Sequence, residues 1–175
     1  MATCATDKLI LFLDFDGTLH PLWEFTRNSA GREIARRYEG PWLVHAPLLA
    51  GVLQPWLGQI EIVVSSWWAY HRPLDEIRAM LPEALAMRVI DSIWLPELTT
   101  PLWSEYHSKL ATRHACIRLW LDRRRPAHTR RWLALDADPW PKEDEGRLIR
   151  AWGTLGNSKV QRELVDQLER FLCDT

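Results

Sequence analysis

The feature that most constrains this chain is residues 8–20, KLILFLDFDGTLH. Residues 8–14 form a continuous apolar run, as expected of a strand covered on both faces in a parallel sheet. The run ends in two aspartates one residue apart, with Gly17 directly after. Charge at the mouth of a buried strand is costly, so something must stabilise those carboxylates.

The rest of the chain repeats the strand signal. IEIVVS (60–65) reads as a second strand, MRVIDSIW (87–94) as a third, RWLALDA (131–137) as a fourth and RLIRAW (147–152) as a shorter fifth. Between the first two, APLLAGVLQPWL (46–57) sets Leu48, Leu49, Val52, Leu53, Trp56 and Leu57 on one helical face, with Pro47 in the first turn. Leu74, Ile77 and Leu81 mark a short helix behind Pro73, and 112–122 predicts another with Thr112 as N-cap and Ile117, Trp120 and Leu121 facing inward. The last helix opens with Ser158 and Gln161, spaced as a capping box, and carries Val160, Leu164, Leu168 and Phe171 on one face. The interval 20–45 is rich in turn and polar residues and holds one helical candidate, AGREIARRY (30–38). Strands alternating with helices argue for an α/β domain with a mainly parallel sheet. No repeat, low-complexity tract or linker divides residues 1–175, so a single domain is expected.

Composition excludes several classes. The chain is 47% hydrophobic and 26% charged, as in ordinary globular domains, and its net charge of −1 supplies no global field toward nucleic acid or membrane. The cysteines Cys4, Cys116 and Cys173 have no metal spacing and leave one unpaired in any disulfide scheme. MATCATDK lacks the features of a signal peptide, and no apolar run approaches a membrane span. A cytoplasmic protein without a membrane partner is expected. Tryptophan occurs 11 times, and many of these side chains are expected in the core.

In parallel sheets, ligands bind beyond the carboxyl ends of the strands, where Asp14, Ser65 and Asp136 all fall. Converging carboxylates are stable together mainly when a cation neutralises them, and all-oxygen donors suit a hard ion such as Mg²⁺. An aspartate beside such an ion can attack phosphorus, and a second aspartate two residues on can protonate the leaving oxygen and then activate water. Gly17 permits a sharp turn that brings amides to a phosphate, and Thr18 suits the ordering of that turn.

DFDGTL at 14–19 resembles the first signature of the haloacid dehalogenase-like (HAD) superfamily, and the likeness extends through four ordered motifs over most of the chain. The resemblance implies a three-layer Rossmann-like fold and a Mg²⁺-dependent phosphatase. In it Asp14 is nucleophile and metal ligand, and Asp16 is general acid/base with its backbone carbonyl on the metal. Ser65 would bind the transferring phosphoryl group, with Ser66 the alternative one residue out of register. The superfamily's usual lysine falls at Arg113, with Lys109 one turn earlier as the alternative. Asp136 would complete the metal site, with Asp138 second. Arginine in place of lysine and the spacing of DAD depart from the commonest pattern. They motivate a second reading, a fold retained for binding or regulation without turnover; phosphoryl transfer to an acceptor other than water is a third.

The intervals 20–45 and 67–108 leave no room for an independent cap domain, so a capless or minimally capped enzyme with an open site is expected. Such a site suits a substrate that brings its own bulk, such as a phosphoprotein or a nucleic-acid end; a small molecule would need help from loops or a partner subunit. The capless pattern, SSWW after the second strand and the arginine before the fourth resemble more closely a subgroup of small bacterial HAD domains, some found fused in RNA-repair systems, which commonly read SSSWR at that place. Trp67, Trp68, Tyr70 and His71 follow Ser65 on the catalytic side and are expected to line the entrance, with Gly17, Thr18, Ser66 and Trp67 touching substrate. The arginine cluster DRRRPAHTRR (122–131) precedes the fourth strand and is expected at the opposite end of the sheet.

Overall fold

The computed structural model describes residues 8–27, 32–94, 112–124, 131–151 and 154–173. Its centre is a five-stranded sheet of β1 (Leu9–Leu13), β4 (Ile60–Val64), β5 (Val89–Ser92), β6 (Trp132–Asp136) and β7 (Leu148–Arg150), in the order β5-β4-β1-β6-β7. Every pairing in it is parallel. The chain runs from central β1 outward to β4 and β5, then returns to build β6 and β7 on the other side. That reversal puts a crevice at the carboxyl end of β1.

The cover on both faces expected of β1 is visible in the packing. Leu9, Leu11 and Leu13 face one layer, formed by α1 (Ala46–Leu53), α3 (Leu74–Ala79), α4 (Glu83–Ala86) and α6 (Ser158–Cys173). Ile10 and Phe12 face the other, where α5 (Arg113–Arg124) contributes Ile117 and Trp120. Phe12 meets the edges of Trp120 and Trp132 at centroid distances of 5.5 and 5.8 Å. Trp120 also donates its indole N–H to Asp91 at 2.9 Å, so its polar end is satisfied while its ring fills the layer. Sheet and two helical layers make a three-layer α/β fold, as expected.

Four local expectations are corrected. AGREIARRY is not helical: Glu33–Arg37 is β3, antiparallel to β2 (Trp23–Arg27) in a separate two-stranded sheet. Opposed pairs Glu24–Arg36 and Arg27–Glu33 complement each other across that ladder, a stabilisation invisible to helical periodicity. The 46–57 helix stops at Leu53 and tightens into a 3₁₀ turn, Gln54–Gln59, because Pro55 lacks an N–H and its ring opposes the carbonyl of Gly51. The 67–94 interval holds not one helix but three short ones, α2 (Trp68–His71), α3 and α4, with α3 and α4 each entered through a proline. At α6 the cap is Asn157, whose Oδ1 accepts the Lys159 N–H at 2.9 Å, while Gln161 reaches past Ser158 to the Leu155 carbonyl. Thr112 does cap α5, accepting the Ala115 N–H at 3.2 Å.

Candidate active site

Strand register places the candidate residues side by side. Leu13 pairs with Val64 on one side and Leu135 on the other, so the next residues, Asp14, Ser65 and Asp136, stand abreast. Backbone bonds from Asp14 N to Leu135 O and from Ser65 N to Leu13 O carry the ladder to that level. All three side chains are buried, as are those of Thr18 and Ser66.

The loop after β1 turns back tightly. The Phe15 carbonyl accepts the N–H groups of Thr18, Leu19 and His20, and Gly17 takes φ = +75°. A side chain at Gly17 would be strained at that φ and would bring a Cβ to 3.0 Å from the Ala137 Cβ. Thr18 Oγ1 lies 3.5 Å from Asp14 Oδ2, at the limit of a hydrogen bond.

Arg113, the first residue of α5, reaches into this row. Its Nε and Nη2 donate to the two oxygens of Asp136 at 2.9 and 2.8 Å, a bidentate clasp. Nη1 lies 3.3 Å from Asp14 Oδ1, and Nη2 lies 2.6 Å from Asp138 Oδ2. Burial opposes the Arg113 charge, yet Asp14 and Asp136 outweigh it and raise its pKa. The carboxyls feel the reverse: burial first, then the charge of Asp136, lifts Asp14 to about 8 against the pull of Arg113. Burial likewise raises Asp136. Lys109, the alternative cation, lies outside the described residues.

The two serines separate clearly. Ser66 Oγ accepts the Trp68 backbone N–H at 3.4 Å, and its carbonyl accepts the Trp94 indole N–H at 2.7 Å, so Ser66 serves the local turn. Ser65 Oγ is buried without a hydrogen-bond partner among the described residues, and so is Asp14 Oδ1, whose contact with Arg113 is purely ionic. Buried polar atoms without a hydrogen-bond partner are rare in folded proteins, and here two of them stand on adjoining strand ends. Asp138 is exposed, and besides its ion pair it donates its backbone N–H to Asp136 Oδ1 at 2.9 Å, a local turn bond. A cavity of about 190 Å³ adjoins it, lined by Thr112, Arg113, His114, Asp138, Pro139 and Trp140.

Among the described residues no three His, Cys, Asp or Glu side chains converge as a metal cluster. The donors still fit a hard cation. Asp14 keeps an oxygen without a hydrogen bond among the described residues, the charge of Asp136 raises the cost of ionising it, and Mg²⁺ takes few carboxylates and keeps its waters.

The aromatics divide. Trp67 stacks on Trp94 at 4.5 Å and belongs to the packing of that layer. Trp68 instead donates its indole N–H to Asp16 Oδ2 at 3.0 Å, a contact across 52 positions that no local pattern announces. Trp120 and Trp132 are core residues as expected, whereas Trp23 and Trp42 are 56% and 59% exposed. Of the arginine cluster, 125–130 lie outside the described residues; Arg131, just before β6, donates to the Phe171 carbonyl at the end of the sheet away from Asp14.

A parallel α/β sheet with aspartates, a serine and an arginine gathered at its central strand ends defines the HAD-like class. Within that class the chain belongs to the family described as the HAD domain in Swiss Army Knife RNA repair proteins, whose profile matches residues 10–160. A comparison with curated proteins gave no match.

Proposed function

We propose that this protein is a Mg²⁺-dependent phosphomonoester hydrolase that works through an aspartyl-phosphate on Asp14. The observation that carries the reading is Asp14 and Ser65 on adjoining strand ends, the Ser65 hydroxyl without a partner among the described residues, with the Arg113 guanidinium against Asp14. An Asp14 oxygen forms a bond to phosphorus while the ester oxygen leaves with its electron pair and takes a proton from Asp16. Water then attacks phosphorus and gives its proton to Asp16, and the Asp14–phosphorus bond breaks, releasing inorganic phosphate. Ser65 and Arg113 hold the phosphoryl oxygens, with the Gly17–Thr18 turn beside them. Mg²⁺, held by Asp14, Asp136 and the Asp16 backbone carbonyl, would supply charge neutralisation.

The substrate we infer is a phosphate on a bulky molecule, a nucleic-acid end before a phosphoprotein. Every residue of β2 and β3 is exposed, and Trp23 and Phe25 present aromatic surface on which bases can stack. The family's occurrence in RNA repair proteins supports the same choice. The test is phosphate release from 3′- and 5′-phosphorylated oligonucleotides, phosphopeptides, nucleotides and sugar phosphates with Mg²⁺. Release from an oligonucleotide end is expected, lost to background in Asp14→Asn with the fold intact by circular dichroism. No release from any substrate would overturn the reading.

The clasp of Arg113 on both oxygens of Asp136 favours one second reading, a domain that binds phosphorylated ligands without turning them over. It requires that Mg²⁺ raise the melting temperature while beryllofluoride forms no adduct at Asp14.

A further inference from the structure

We propose that Trp68 is a positioning residue for Asp16, fixing the carboxylate that protonates the leaving group; this rests on the hydrolase reading above. Asp16 sits on the tight loop after β1 and is only partly buried. A short carboxylate on a half-exposed loop samples several rotamers unless something holds it. The indole N–H of Trp68 meets Asp16 Oδ2 at 3.0 Å, and indole is a donor only, so the bond has one sense and ties one oxygen.

The tether is itself anchored. Trp68 opens α2 immediately after the Ser65–Ser66 turn, and its backbone N–H is held by Ser66 Oγ. Its ring meets Phe15, His20 and Trp42 edge-on at centroid distances of 5.7, 5.4 and 5.6 Å. Phe15 and His20 come from the loop that carries Asp16, and Trp42 comes from the segment before α1. Arg72, at the far end of α2, lies over the Trp42 ring at 5.1 Å and closes the cluster from outside. The indole is therefore wedged between the exits of β1 and β4, and the direction of its N–H is set by packing. It links the loop bearing the proton donor to the strand end bearing Ser65. A general acid must stand within hydrogen-bond reach of the leaving oxygen, and misplacement by about 1 Å costs about 100-fold in rate.

Trp68→Phe keeps an aromatic ring and removes the N–H. The measurement is kcat/KM over phosphate esters whose leaving groups run from p-nitrophenol to simple alcohols, together with inhibition by inorganic phosphate. Loss of the positioned acid predicts a fall of about 10- to 100-fold on alkyl esters. The p-nitrophenyl ester, whose leaving oxygen needs no proton, and the inhibition constant for phosphate should stay near wild type. In an Asp16→Asn background, Trp68→Phe should add nothing on alkyl esters, since the two residues act as a unit. An equal loss on every ester, a weakened phosphate inhibition, or additive effects would overturn the proposal in favour of a purely structural indole. Trp68→Leu, which keeps an apolar side chain and has no donor, is the second variant should Trp68→Phe not fold, with the same pattern expected. A wild type inactive on all esters would overturn the hydrolase reading and this inference with it, whereas an active wild type with a flat Trp68→Phe profile overturns the inference alone.

Discussion

Arg113 carries the electrostatics of the candidate site, because one guanidinium meets Asp14, Asp136 and Asp138 together. Asp136 is buried and clasped at both oxygens, so removing the cation leaves that carboxylate with neither water nor its partner. Breaking a buried pair from one side costs about 3–5 kcal/mol. Arg113→Ala should therefore lower the melting temperature of the metal-free protein by roughly 6–20 °C, read by scanning calorimetry. Arg113→Lys should recover only part of this, since an ammonium cannot span both oxygens of Asp136 as the fork does. An Arg113→Ala variant melting with the wild type would show that the cluster is not held by this ion pair. Asp14, Ser65 and Asp136 were legible in the sequence because each closes an apolar run, and parallel register turns three strand ends into three neighbours. The bond from Trp68 to Asp16 was not legible, since it depends on how α2 leaves β4 and on rings from three separate segments.

Helix α6 shows how an element's start is decided by one residue's geometry. Ser158 and Gln161 have capping-box spacing, yet Ser158 is already helical and Asn157 supplies the capping oxygen. Asn157→Ala should cost about 1 kcal/mol, within the usual 0.5–2 kcal/mol range for caps, whereas Ser158→Ala should stay within about 0.5 kcal/mol. Urea midpoints of the two variants decide it, and the reverse order would restore the cap to Ser158. The same helix buries Val160, Leu164 and Leu168, each an apolar side chain worth about 1.5–3 kcal/mol, so a cap error shifts its first turn without moving its face. This is why the core elements could be read from periodicity while their ends could not. The hairpin escaped for a different reason. β2 and β3 are exposed on both faces and bury no stripe, so the short alternation of Trp23 and Phe25 with Glu24 and Thr26 has no apolar face to mark. Their stability lies in cross-strand pairs that a single segment cannot reveal.

At the scale of the molecule, the acidic cluster ties folding to pH and to cations. An ordinary aspartate titrates near 3.8, but in the folded chain Asp14 is lifted to about 8, by burial first and by Asp136 second. Between those values the folded state keeps a proton that the unfolded state has released. The stability contributed by neutral Asp14 is therefore complete below about pH 4 and is lost as pH rises toward 8. Binding of a divalent cation demands the ionised carboxylate and expels that proton, so cation binding strengthens over the same interval. The metal-free protein should lose melting temperature from about pH 5 to about pH 8.5, and Mg²⁺ should restore it most at the upper end. At 100 times its dissociation constant the ion adds about 2.7 kcal/mol. Melting curves with and without Mg²⁺ across this range test both halves, and Asp14→Asn, which cannot ionise, should flatten the decline and the Mg²⁺ response together. A Mg²⁺ shift equal at both ends of the range, or one that survives Asp14→Asn undiminished, would place the cation away from Asp14. Three-layer packing contributes to this linkage, because layers on both faces of the sheet bury the strand that ends in Asp14, and burial is the largest cause of its raised pKa.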